Sequence, residues 1–189
     1  SLGGQQVLEW GVLQPDVFRQ LIPIACNAKH SPWGIAFNEA QRLAIESDTT
    51  WKEERPEAGI NGIKAARAIG MISYRHYDTF DATQKEESEE KADSFRAASY
   101  QRYQGEKLAN RFNAFTYYAL SKTMDSHNVG RARKNVEAAL KLIKAKTLVI
   151  GIGSDVLFPP SEQEFIAKNI SGARFEIVDS IYGHDGFLV

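Results

Sequence analysis

TLVIGIGSDVLFPPSEQEFIAKNISGARFEIVDSIYGHDGF (147–187) is the stretch that decides the fold. TLVIGI (147–152) is a short β-branched run, the pattern of a parallel strand covered on both faces. GSDVLFPP follows as a loop. Ser161 and Glu164 then form a capping-box pattern at the head of a helix carrying Phe165, Ile166 and Ile170, with Gly172 past its end. RFEIVD (174–179) is a second strand and YGHDGF a second loop. Strand, loop, helix, strand, loop is an α/β unit with a right-handed crossover.

Working outward from this unit, Val136, Ala139, Leu140 and Ile143 recur at i, i+3, i+4 and i+7, which predicts an amphipathic helix. Ser94 to Asp125 is helical in pattern, with an interruption expected near Gly105. KEESEEK (85–91) has no apolar residue and reads as an exposed loop or lid insertion. Pro56 is read as the start of a helical stretch carrying Ile60, Ile63, Arg67 and Ile69. Ser31 and Pro32 supply a cap and a first position for the helix IAFNEAQRLAIES. LIPIACNA (21–28) has the apolar density of a buried strand, blemished by Pro23. Gly4 to about Leu13 reads as a short helix ended by Pro15.

The 189 residues, 43% hydrophobic and 25% charged, have a globular composition able to bury a sizeable core. A formal net charge of −1 points to no nucleic-acid or membrane partner. Cys26 is the single cysteine and fits a reducing compartment. The apolar runs Leu21–Ala25 and Thr147–Ile152 are too short to cross a bilayer.

Ligands of parallel α/β sheets gather at the carboxyl ends of the strands. Asp155 follows one predicted strand there, and His184 with Asp185 follows the next. Ser1 precedes a Gly-Gly pair and a helix, as the second half of a G-x-S-x-G turn would. The chain order Ser1, Asp155, His184 is that of the α/β-hydrolases. A serine hydroxyl needs an imidazole to take its proton, and the imidazole needs a carboxylate to fix its tautomer. His30, His76 and His127 read as cap, turn and helix-end residues, and no spacing suggests a metal site.

SLGGQQVLEW, IAFNEAQRLAIESD, ARAIGMISYR, SYQRYQGEKLANRF, MDSHNVGR, GSDVLFPP and GHDGFL together resemble the homoserine O-acetyltransferase family, in its order and from Ser1 to Val189. The resemblance implies the C-terminal part of an α/β-hydrolase fold with an inserted helical lid. Residues 1–31 would belong to the hydrolase core, 32–134 to the mainly helical lid and 135–189 to the core again. It implies Ser1 as nucleophile, Asp155 as triad acid and His184 as triad base. The N–H of Leu2 would be an oxyanion donor. Arg75 would bind the amino-acid substrate and Asp185 would receive its amino group. The implied reaction is ping-pong transfer of an acetyl group from acetyl-CoA to the hydroxyl of L-homoserine, in methionine biosynthesis. No bound cofactor is expected, acetyl-CoA being a co-substrate. A cytoplasmic homodimer joined through the lid helices is implied as well.

Measured against the family, the strands expected before Ser1 and a helix after the histidine loop are not in the sequence, so it reads as a fragment starting at the nucleophile. Asn113 stands where the family has an aspartate. Other readings of the same residues are an O-succinyltransferase acting on serine or homoserine, an esterase of the same fold, or an N-terminal nucleophile hydrolase. A catalytically dead helical dimerisation fragment is the non-enzyme alternative.

Overall fold

The computed structural model describes all residues from Ser1 to Val189. Three strands, β1 (Gln20–Leu21), β2 (Lys146–Ile152) and β3 (Arg174–Val178), form a parallel sheet in the order β1-β2-β3. Leu21 pairs with Thr147, and Leu148 to Ile152 pair with Arg174 to Val178. Pro23 has no N–H to give to the ladder, yet its carbonyl accepts from Ile150, and Ala25 N–H donates back to Ile150. The expected strand 21–28 is therefore a two-residue strand whose pairing resumes at Ile24.

Helices α1 (Leu2–Leu13), α7 (Val136–Leu140) and α8 (Pro160–Asn169) enclose one core with the sheet. Leu8, Val12, Leu21, Leu140, Ile143, Val149 and Ile166 are its main members. Between β1 and α7 the chain forms α2 (Pro32–Glu46), α3 (Ile60–Tyr74), α4 (Tyr77–Gln84), α5 (Arg96–Ala109) and α6 (Ala114–Asp125). A second core of Ile45, Ile63, Ala66, Leu108 and Ala114 lies within this helical group. KEESEEK lies mostly exposed between α4 and α5.

Several boundaries differ from the pattern-based ones. The helix expected from Pro56 begins at Ile60, behind Gly59 at φ +75°. The break expected near Gly105 falls instead at residues 110–113, where Asn113 caps α6 by accepting from Thr116 N–H at 2.8 Å. Gly105 sits inside α5 because a Cβ there would lie 2.9 Å from the Lys64 carbonyl oxygen of α3. Its role is close helix contact. Gly105→Ala is expected to destabilise the protein by about 1–3 kcal/mol through overpacking, although alanine gains roughly 1 kcal/mol of helix propensity; denaturant titration measures it. The capping box is not made: Pro159 precedes α8, no side chain caps it, and Glu164 pairs with Lys168 at 2.8 Å. The helix expected to run to Ile143 ends at Leu140, with Ile143 still buried just beyond.

Candidate active site

The carboxyl ends of β2 and β3 place their loops side by side. Asp155 and His184 are both buried, and His184 Nδ1 lies 2.7 Å from Asp155 Oδ2. The other carboxylate oxygen, Oδ1, accepts from the N–H groups of Leu157 and Phe158, each at 2.8 Å. Three hydrogen bonds thus fix the carboxylate. The imidazole is walled by rings, with Phe158 and Phe187 centroids 5.1 and 5.2 Å away and Tyr74 at 5.9 Å. Nδ1 is committed to Asp155, and Nε2 has no protein partner. That assigns the proton to Nδ1 and leaves Nε2 as the acceptor.

Ser154 latches the two loops, donating to the Ser180 carbonyl and accepting from Gly183 N–H at 2.9 Å. Nothing in the spacing of GSD singled it out. Gly183 has φ +65°, and a Cβ there would stand 2.8 Å from both the Arg75 carbonyl carbon and the His76 nitrogen. This contact seats the histidine turn (Gly183–Phe187) directly on the end of α3. Arg75 Nε consequently lies 3.2 Å from Asp185 Oδ2, an ion pair without hydrogen-bond alignment. The two residues expected to hold a substrate's carboxylate and ammonium meet each other at one edge of the histidine turn.

Ser1 stands at the cap of α1, its side chain making no capping bond, and its backbone nitrogen is close enough to feel the charge of Asp155. No hydrogen bond joins its hydroxyl to His184. The Leu2 N–H opens α1 and lacks an intrahelical acceptor, as first-turn donors do. Leu2 and Tyr74 line one cleft of about 520 Å³ with Phe112, Tyr117, Leu120 and Met124. Tyr74 therefore connects that cleft with His184. Arg75 also borders a mainly apolar cleft of about 610 Å³ with Ile72, Tyr77, Phe80 and Val156.

A buried polar chain that the sequence did not disclose joins the helical group to α1. Arg42, 3% exposed, lies 2.5 Å from Glu39 and 2.6 Å from Asp125. Asn38 donates to Asp125 at 2.8 Å and faces His30 Nε2 at 3.3 Å. Gln5 faces His30 Nδ1 at 3.4 Å and donates to Asn27 at 2.9 Å, and Asn27 donates to Glu162 at 3.0 Å. Burial pushes His30 towards its neutral form against the pull of Asp125. His30 also packs on Phe158, 5.8 Å between centroids, the ring that walls His184. Trp33 of α2 adds a tie to the acid loop, donating to the Val156 carbonyl at 2.8 Å.

Burial raises the Glu162 carboxyl to about 7, Asp155 adding to the shift and Asn27 opposing it. The folded protein then holds this proton more tightly than the unfolded chain does. The stability linked to it is present below the ordinary carboxylate range and lost as pH rises through about 7. Glu162→Gln is expected to raise the melting temperature near pH 8 and leave it unchanged near pH 4, read by paired thermal melts.

No cluster of three or more His, Cys, Asp or Glu side chains is placed to hold a metal ion. No helix is long and apolar enough to cross a membrane.

A parallel sheet bearing an acid and a histidine on successive strand ends, with helices inserted between strands, defines an α/β-hydrolase fold. The chain superposes on the crystal structure of esterase E22 with a TM-score of 0.88 at 20% identity, over 98% of this chain and 54% of that one. It superposes on homoserine O-acetyltransferase from Staphylococcus aureus with a TM-score of 0.80 at 29% identity, over 100% of this chain and 52% of that one. In sequence it is 53% identical over 189 residues to the homoserine O-acetyltransferase of Cyclobacterium marinum, covering all of this chain and 54% of the relative. Over its whole length the chain is homologous to proteins named homoserine O-acetyltransferase. It spans about half the length of the curated relatives it matches. No protein-family model matches it.

Proposed function

We propose that this chain carries the catalytic serine, histidine and aspartate of an acyltransferase that moves an acetyl group from acetyl-CoA to the hydroxyl of L-homoserine. The buried Asp155–His184 pair, with Nδ1 2.7 Å from Asp155 Oδ2 and Nε2 without a protein partner, is the observation that carries the reading. In the first half-reaction Nε2 takes the Ser1 proton as Oγ attacks the thioester carbonyl. The C–S bond breaks, and the CoA sulfur leaves with that proton. In the second, Nε2 takes the proton of the homoserine hydroxyl as its oxygen attacks the acyl carbon, the ester bond to Ser1 Oγ breaks, and the proton returns to Oγ. Asp155 holds the tautomer and stabilises the imidazolium formed in each half. The Leu2 N–H donates to the developing oxyanion.

Acceptor choice rests on Arg75 and Asp185. An amino acid brings a carboxylate for the guanidinium and an ammonium for the aspartate, so it exchanges their mutual ion pair for two charge-assisted contacts. Water as acceptor would give an esterase, and it makes no use of that pair. The test is intact-mass analysis of the whole protein with acetyl-CoA. An acetyl adduct that maps to Ser1 and is discharged by homoserine faster than by water supports the reading. An adduct discharged equally by both leaves an esterase, and no adduct at Ser1 refutes the proposed nucleophile.

A further inference from the structure

Away from the Asp155–His184 pair, the loops 27–29 and 128–135 and the first turns of α7 and α8 enclose a cleft of about 490 Å³. None of Ser1, Asp155, His184, Arg75 or Asp185 lines it. Its size is that of a small-molecule site. Its lining is mostly polar, and four charged residues contribute to it: Lys29, Lys134, Glu137 and Glu162. Opposite charges sharing a cleft ordinarily close on each other, but the lysines in ion pairs are Lys64, Lys91, Lys144 and Lys168. Lys29 and Lys134 have no acidic partner. Glu162 is met by neutral donors alone, Asn27 at 3.0 Å and the Ser31 hydroxyl, and no positive charge acts on its carboxyl.

The Glu162 side is built ahead of any occupant. Asn27 is 2% exposed and cannot turn away, because Gln5 donates to its Oδ1 at 2.9 Å while its Nδ2 donates to Glu162 Oε2 at 3.0 Å. Asn27 therefore holds Oε2, and the Ser31 hydroxyl is the other neutral donor near the carboxylate. A carboxylate drawn out of water with no counter-charge is costly, and an ammonium is the group that offsets that cost.

We propose that this cleft is a second ligand site that takes a free α-amino acid, its ammonium on Glu162 and its carboxylate towards Lys29 and Lys134. The ligand stabilises the ionised form of Glu162, so binding tightens as pH rises through about 7. The groups facing that carboxyl are Asn27 and Ser31 from the loop after β1, Asp155 from the loop after β2, and Glu137 of α7 across the cleft. Of these the hydrogen-bonding pair favours ionisation, and the acids oppose it. Asn27 also passes the state of the site to Gln5, one turn into the helix that starts at Ser1.

The experiment titrates the isotopically labelled protein with L-alanine, and with methylammonium and acetate as separate half-ligands, following amide and side-chain signals. Expected are saturable shifts at Asn27, Gln5 and Gly130, and weaker binding of either half-ligand alone. Affinity should be about tenfold higher near pH 8 than near pH 6, following the ionised fraction of Glu162. Glu162→Gln should weaken binding at least tenfold, or about 1.4 kcal/mol, and abolish the pH dependence. Lys29→Ala, at an exposed position, should weaken L-alanine and acetate but leave methylammonium unaffected. Shifts that saturate only around His184 and Asp185, or that survive Glu162→Gln unchanged in a folded protein, overturn the proposal.

Discussion

Asp155→Asn is expected to lower kcat for the proposed acetyl transfer by about four orders of magnitude while the protein stays folded. The size of the loss follows from which atom each carboxylate oxygen serves. Oδ1 accepts from two backbone N–H groups, Leu157 and Phe158, and neither can turn into an acceptor. An asparagine here must therefore give its carbonyl oxygen to that pair. Its NH2 group is then the one that faces His184 Nδ1. A donor at this place demands an acceptor nitrogen, so the ring adopts the tautomer with its proton on Nε2. That proton sits where the nucleophile's proton has to go. KM for homoserine should change little, because Arg75 and Asp185 are untouched. Steady-state kinetics of purified variant and parent read the split, and circular dichroism confirms the fold. A loss of only a few-fold would mean that His184 is not the base.

The Asp155–His184 pair is legible in the sequence, because its elements are local. A β-branched run ending in Gly-Ser-Asp and a second ending in Gly-His-Asp-Gly mark two strand ends, and parallel sheets gather chemistry there. Ser154 was not legible, since a serine in a loop becomes a latch only when Ser180 and Gly183 arrive from another strand. The polar chain from Arg42 to Glu162 was hidden for the same reason. His30 before a helix cap looks like a surface residue in one dimension, yet it lies buried between Gln5 and Asn38, which are 25 and 8 residues away. Local patterns also misled where tertiary contact overrode them. Ser161 and Glu164 have capping-box spacing, but α8 already begins at Pro160, and Glu164 turns to Lys168. Gly105 read as a helix break because propensity alone counts against glycine; the Lys64 backbone of α3 is what requires it. Pro23 lacks a donor, but β2 needs only its carbonyl.

Gly183→Ala should cost activity and stability together, and Gly172→Ala separates the causes. Both glycines are left-handed, at φ +65° and +69°. An alanine in that region costs about 1–2 kcal/mol from its own backbone, and this charge falls on both variants. Their surroundings differ. Around Gly172 a Cβ meets nothing within 4 Å, whereas at Gly183 it would stand 2.8 Å from backbone atoms of Arg75 and His76. Those atoms end α3 and cannot swing aside as a side chain could, so the histidine turn has to lift. His184 and Asp185 lift with it, away from Asp155 and Arg75, which hold them at 2.7 and 3.2 Å. A displacement of roughly 1 Å in such an arrangement is worth about a hundredfold in rate. Gly183→Ala is therefore expected to lose about two orders of magnitude in kcat/KM, with about 2–5 kcal/mol of stability, backbone strain and crowding combined. Gly172→Ala should lose about 1–2 kcal/mol and keep its rate. Equal stability losses with both rates intact would show that the turn can absorb a methyl group, and that the contact between Gly183 and α3 does not position the histidine.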